Sequence, residues 1–175
     1  TSSDGVSTPT LNSVSLLYAI NAPPAFNPDY PSTAAGGAVA TQVTDAADAN
    51  WGKIKIDYAV LDPDTDSGSV TPGFVNPSFE YRLNSSDAWH AIGSSYLTAQ
   101  STGLKPVLTG SYTTYTTYWD ARGLIPSQYS ATAQVRVTAN DNEVIYNLGY
   151  ATTSATTLDT TPPTTSLFRI NGGSS

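Results

Sequence analysis

Cysteine and methionine are both absent from this 175-residue chain, and histidine occurs once, at His90. Without thiols there is no disulfide, no thiolate zinc site and no cysteine nucleophile, and one imidazole cannot build a multi-histidine metal centre. Charge is scarce too: 12% of residues are charged, seven basic against fourteen acidic, for a net charge of -7. Phosphate backbones and anionic membranes are bound by clustered Lys and Arg, so neither nucleic acid nor an anionic lipid surface is an expected partner. No apolar run approaches the roughly 18 residues that a membrane span requires. With no initiator Met and no secretory signal pattern, the chain reads as mature or excised material.

What the chain has instead is hydroxyl and aromatic side chains: 25 Thr, 21 Ser and 11 Tyr, with 12 Pro and 13 Gly. Such a composition, poor in Lys, Glu and Leu, favours strands and turns over helices. Low charge, no cysteine and many hydroxyls also suit an extracellular, cell-surface setting that needs no disulfide.

Period-two alternation recurs along the chain. Val14, Leu16, Tyr18 and Ile20 share one parity. Ile54, Ile56, Tyr58 and Val60 point one way, while Lys53, Lys55 and Asp57 point the other. Phe79, Tyr81 and Leu83 alternate with Glu80 and Arg82; Val135, Val137 and Ala139 alternate with Gln134, Arg136 and Thr138. Tyr115, Thr117 and Trp119 form the expected inward face of a Thr/Tyr strand. Ile145, Leu148 and Tyr150 break parity, which predicts a bulge. No segment keeps a helical period over three turns. The fold class is all-β: an antiparallel sandwich of about seven to nine strands, large enough to form a core without a staple.

The expected organisation is an N-terminal arm over 1–12, a sandwich over 13–159 and an extended segment over 160–175. Within the sandwich, 21–50 is expected as a long Ala/Pro/Gly loop, with a short helical turn at Asp45-Ala-Ala-Asp48. A second long connection covers 93–110. Near the end, Pro162-Pro163 is stiff and unsuited to a central strand. Beyond it Ser166, Phe168 and Ile170 alternate as a strand with no partner left in its own unit.

In order and spacing, Ile56-Asp-Tyr-Ala-Val-Leu-Asp-Pro-Asp-Thr-Asp66, Phe79-Glu-Tyr-Arg-Leu-Asn-Ser-Ser-Asp-Ala-Trp89, Trp119-Asp-Ala121, Val135-Arg-Val-Thr-Ala-Asn-Asp141 and Leu158-Asp-Thr-Thr-Pro-Pro163 resemble the immunoglobulin-like or fibronectin-III-like β-sandwich of bacterial and archaeal cell-surface proteins. The resemblance covers about residues 51 to 163. It departs at Asn84-Ser-Ser-Asp87, where the family usually places Asp-Gly-Gly before its Trp. The resemblance implies a structural or adhesive role in a stalk, surface layer or filament. Residues 164–175 then become the first strand of a following repeat, or a strand lent to a neighbour. Main-chain pairing of an added strand binds tightly, and Leu167, Phe168 and Ile170, with Val14 and Leu16, are the expected assembly residues.

Asp62-Pro-Asp64-Thr-Asp66 before Gly68 places three carboxylates in one loop at a strand end, a donor set suited to calcium. The alternative is a solvated Asx turn. Asp45, Asp48, Asp141 or Asp159 can complete a site only if their loops gather at the same end. Trp51, Trp89 and Trp119 raise a sugar-stacking surface, but Trp119 has core parity and Trp89 follows a hairpin turn, which are ordinary packing positions. Trp51, beside Gly52, is the freest. Asn84-Ser85-Ser86 is the one N-x-S/T acceptor unblocked by Pro, at a hairpin tip that tolerates a glycan.

For catalysis the inventory is thin. His90 is expected on a solvent face, and Glu80 and Glu143 are the only glutamates, so a glycosidase pair would need Asp. The expectation is therefore not an enzyme. It is an extracellular structural subunit or repeat that self-assembles, with copies of itself as partner. Alternatives are a carbohydrate-binding adhesin module and an accessory β-domain of a secreted enzyme.

Overall fold

The computed structural model describes residues 21–31, 36–64, 73–98 and 105–162. The expected arm over 1–12, the strand led by Val14 and Leu16, Asp66, and Leu167, Phe168 and Ile170 all lie outside them.

The described residues form ten strands: β1 (Ala25–Phe26), β2 (Ala38–Gln42), β3 (Ile54–Leu61), β4 (Phe74–Arg82), β5 (His90–Ala91), β6 (Lys105–Pro106), β7 (Thr113–Trp119), β8 (Tyr129–Asn140), β9 (Leu148–Thr152) and β10 (Thr156–Asp159). One helical turn, α1 (Ala121–Leu124), follows β7 and is capped by the Asp120 side chain, which accepts from the Gly123 N–H. All pairings are antiparallel. In the first sheet β3 is central, with β1 and β2 in succession along one edge and β7 along the other. In the second sheet β8 pairs with β4 on one side and with β9 and β10 on the other, while β5 and β6 line the far edge of β4.

The alternation places the core as expected. Ile54, Ile56, Tyr58 and Val60 are buried opposite Val75, Phe79, Val135 and Val137, and Thr117 and Trp119 close the interior from β7. The Tyr58 ring meets Phe79 edge-on across the two sheets, centroids 5.8 Å apart, and also contacts Phe26 and Tyr115. This aromatic cluster joins both layers, so burial of either face requires the other.

Pro77 sits inside β4 without disrupting it. Gly73 and Phe79 share its parity, and their carbonyls accept from Val107 and Ile92 on the far edge. The missing Pro77 N–H therefore faces that same edge, in the interval between β6 and β5, rather than β8.

Several expectations need correction. The segment expected as a loop over 21–50 contains β1 and β2, and Ala38 and Ala40 of β2 are buried in the core. Asp45-Ala-Ala-Asp48 closes one isolated turn, in which Asp48 N–H donates to Asp45 O and Asp45 Oδ1 accepts from Ala47 N–H; an Asx turn from Asp48 to Asn50 follows, and no helix develops. The bulge predicted near Ile145 is absent, because Ile145 lies in the loop before β9 and β9 keeps register with β8. The register shift falls instead in β10, between Thr156 and Leu158. Thr160, expected in the C-terminal linker, is buried; its N–H donates to Gln128 O and its hydroxyl to Ile125 O.

Candidate functional site

At the end of the sandwich where β3 and β8 finish, three carboxylates gather from distant parts of the chain. Asp62 and Asp64 follow β3, and Asp141 follows β8. The backbone arranges them through local bonds: Asp62 Oδ1 accepts from Asp64 N–H at 3.3 Å, and Asp141 Oδ1 from Glu143 N–H at 2.9 Å. The N-terminal connector crosses between them. Asp64 Oδ2 accepts from Ala22 N–H at 2.7 Å, while Asn21 Nδ2 donates to Asp141 Oδ2 at 3.0 Å and to the Ile145 and Tyr146 carbonyls.

Asp62 is the unusual member. It is 1% exposed, and its Oδ2 has no hydrogen-bond partner. The backbone of Gly73 passes directly over it; a Cβ there would stand 2.9 Å from Oδ2. Burial, opposed by the Asp64 N–H and reinforced by the carboxylates of Asp64 and Asp141, pushes the Asp62 carboxyl up to about 7. A buried, unpaired carboxylate is costly unless a proton or a cation neutralises it.

Of the residues singled out in the sequence, the structure thus brings together Asp62, Asp64 and Asp141. Asp45 and Asp48 fall in the turns between β2 and β3, and Asp159 ends β10 beside Gln42; all three belong to the opposite end. Among the described residues no three His, Cys, Asp or Glu side chains are set to hold a metal ion by themselves.

The aromatic candidates separate. Trp119 is buried. Trp89 stands on the outer face of the second sheet, with the Arg82 and Arg136 guanidinium carbons 4.4 and 4.7 Å from its ring centroid. Arg136 in turn pairs with Glu80 at 2.6 Å. His90 is exposed, as expected, and its ring lies 5.5 Å from Tyr81. Trp51 is 51% exposed, with Arg122 5.3 Å from its ring centroid. Asn84 is exposed in a tight turn, where its Nδ2 donates to Asp87 Oδ2 at 2.7 Å and its Oδ1 accepts from Ser86 N–H.

Sequence reasoning missed the part played by Asn21 and Ala22. A connector Asn and a main-chain N–H carry no motif, and only the fold brings them to Asp141 and Asp64. An open concavity on the outer face of the first sheet, lined by Asn50, Lys55, Thr98, Thr116 and Tyr118, was equally invisible. There Lys55 pairs with Asp57 at 2.9 Å, and that bond raises the Lys55 amine.

No protein-family model, curated protein or solved structure matches the chain.

Proposed function

We propose that the chain is an extracellular structural unit that assembles with copies of itself into a surface filament or layer. The observation that carries this reading is the placement of the two ends of the described body. Asn21 is bonded to the loop just after β8, whereas Thr160 is bonded to the turn just before it. β8 has 12 residues, which at roughly 3.3 Å per residue separates those points by about 40 Å. Segments leaving at opposite ends string units into a row, whether as repeats of one chain or as separate subunits.

Exposed apolar side chains add to this. Val144, Ile145 and Tyr146 are 94%, 57% and 65% exposed in the loop that holds Asn21, and grouped apolar exposure of this kind marks contact surfaces. In the assembled form, Leu167, Phe168 and Ile170 of one unit pair as an added strand with a neighbour, near its Val14 and Leu16. The immunoglobulin-like character rests on the order of the motifs, the surface setting rests on composition, and a glycan at Asn84 rests on its exposed turn.

The experiment is electron microscopy and light scattering of the full chain beside a version ending at residue 162, which keeps Thr160. Fibres or lattices from the full chain, and a folded monomer from the shortened one, are expected. Polymers formed by the shortened chain would refute strand lending, and lone particles from the full chain would refute assembly.

Exposed Trp51 favours a second reading, a carbohydrate-binding adhesin surface. Trp51→Ala should then abolish binding on a glycan array, and silence of the unaltered chain on that array removes this reading.

A further inference from the structure

We infer that Asp62 and Asp64 bind a calcium-sized divalent cation that fastens the N-terminal connector to the sandwich. Three features converge on this. The Asp62 carboxylate is buried with one oxygen unpartnered. A second carboxylate, Asp64, adjoins it and already holds the connector through the Ala22 N–H. A third, Asp141 at the end of β8, holds the same connector through Asn21. Asp62, Asp64 and Asp141 are all carboxylates, and among the described residues Asn21 and Ala22 contribute only neutral donors.

The donor set is all oxygen, which selects a hard cation and excludes metals that prefer nitrogen or sulfur. Calcium accepts six to eight oxygens with tolerant geometry, from carboxylates, carbonyls and water. Among the described residues no third carboxylate joins Asp62 and Asp64 as a ligand, so main-chain oxygen and water must supply the remaining positions. Gly73 matters to this arrangement, since any side chain at that position would press on Asp62 Oδ2.

The consequence is mechanical. An ion shared by Asp62 and Asp64 draws the Ala22 attachment into the same unit as the end of β3. This inference stands apart from the assembly reading: a monomeric protein can bind the ion, and an assembling one can lack it.

The test is thermal melting of the full chain in chelator and in millimolar calcium chloride. Ligand at about a hundredfold excess over its Kd raises the melting point by roughly 5–10 °C for a domain of this size. Asp62→Asn and Asp64→Asn should each remove that shift, and Asp45→Asn, at the opposite end, should keep it. Limited proteolysis near Ala22 should slow in calcium and not in chelator. Should a variant fail to fold, terbium luminescence of the unaltered chain, quenched by added calcium, gives the same answer. Identical melting points in chelator and calcium, with no terbium signal, overturn the inference. So does a shift that survives both Asp62→Asn and Asp64→Asn, because the ion then sits elsewhere.

Discussion

Gly149 is where one atom decides whether the two layers close. It lies on β9, facing inward, and the Pro24 carbonyl oxygen occupies the place its Cβ would take, 1.9 Å away. The obstruction is backbone, so it cannot rotate aside. Gly149→Ala must push the connector off β9, at a cost of about 1–3 kcal/mol by analogy with overpacked cores; a urea melt should show the lower midpoint with an unchanged slope. Asp159 gives the pH counterpart. Its carboxyl is held below the usual range first by the Thr161 hydroxyl and then by the Thr161 N–H. A lowered folded value means that its contribution is present above the unfolded value near 4 and is lost as pH falls through the folded one. Asp159→Asn should therefore melt below the unaltered protein at pH 6, and the gap should narrow as pH falls below the unfolded value near 4, as seen by circular dichroism.

At the scale of elements, the strands that alternate cleanly were legible and the quiet ones were not. β3, β4 and β8 carry mostly apolar residues on one parity and mostly polar ones on the other, so both their existence and their facing follow from side-chain type, while β7, with Thr and Tyr on both parities, is oriented chiefly by Trp119. β2 reads Ala-Val-Ala-Thr-Gln; alanine has little strand preference, and its buried face is small because Tyr58 fills the space nearby. β9 misleads in the opposite way, since Leu148 and Tyr150 are exposed while Gly149 and Ala151 face the core. Pairing to β8, not hydrophobicity, sets its parity. The acidic end was half legible for a similar reason: Asp62 and Asp64 announce themselves as a pair, but nothing local connects them to Asn21 or Asp141. Gln42 shows how such long-range joins are made. Its side chain donates to Asp159 O at 2.8 Å and accepts from Asp159 N–H at 3.0 Å, tying β2 of one sheet to β10 of the other. Gln42→Ala leaves both main-chain groups unpaired and should cost about 1–3 kcal/mol. Gln42→Glu restores the acceptor without the donor and should recover only part of the loss, measured by the same melts.

For the whole molecule, the closed and open parts of the surface have different uses. Along one side the sandwich is joined by the contact of Gln42 with β10 and by the approach of Pro24 to β9, so that side is held shut. The end beyond β8 is different, because its loop presents Val144, Ile145 and Tyr146 to solvent. None of the three belongs to the buried core, so changing them tests contact without testing folding. Val144→Asp with Ile145→Asp adds two charges to an already acidic end, in a protein whose net charge is -7. If copies meet there, the double variant should remain a folded monomer with a melting point within about 4 °C of the original, since surface changes are usually worth less than 0.5 kcal/mol each, while scattering shows no growth at concentrations where the unaltered chain assembles. Assembly undiminished by both charges would move the contact away from this end and onto the sheet edges.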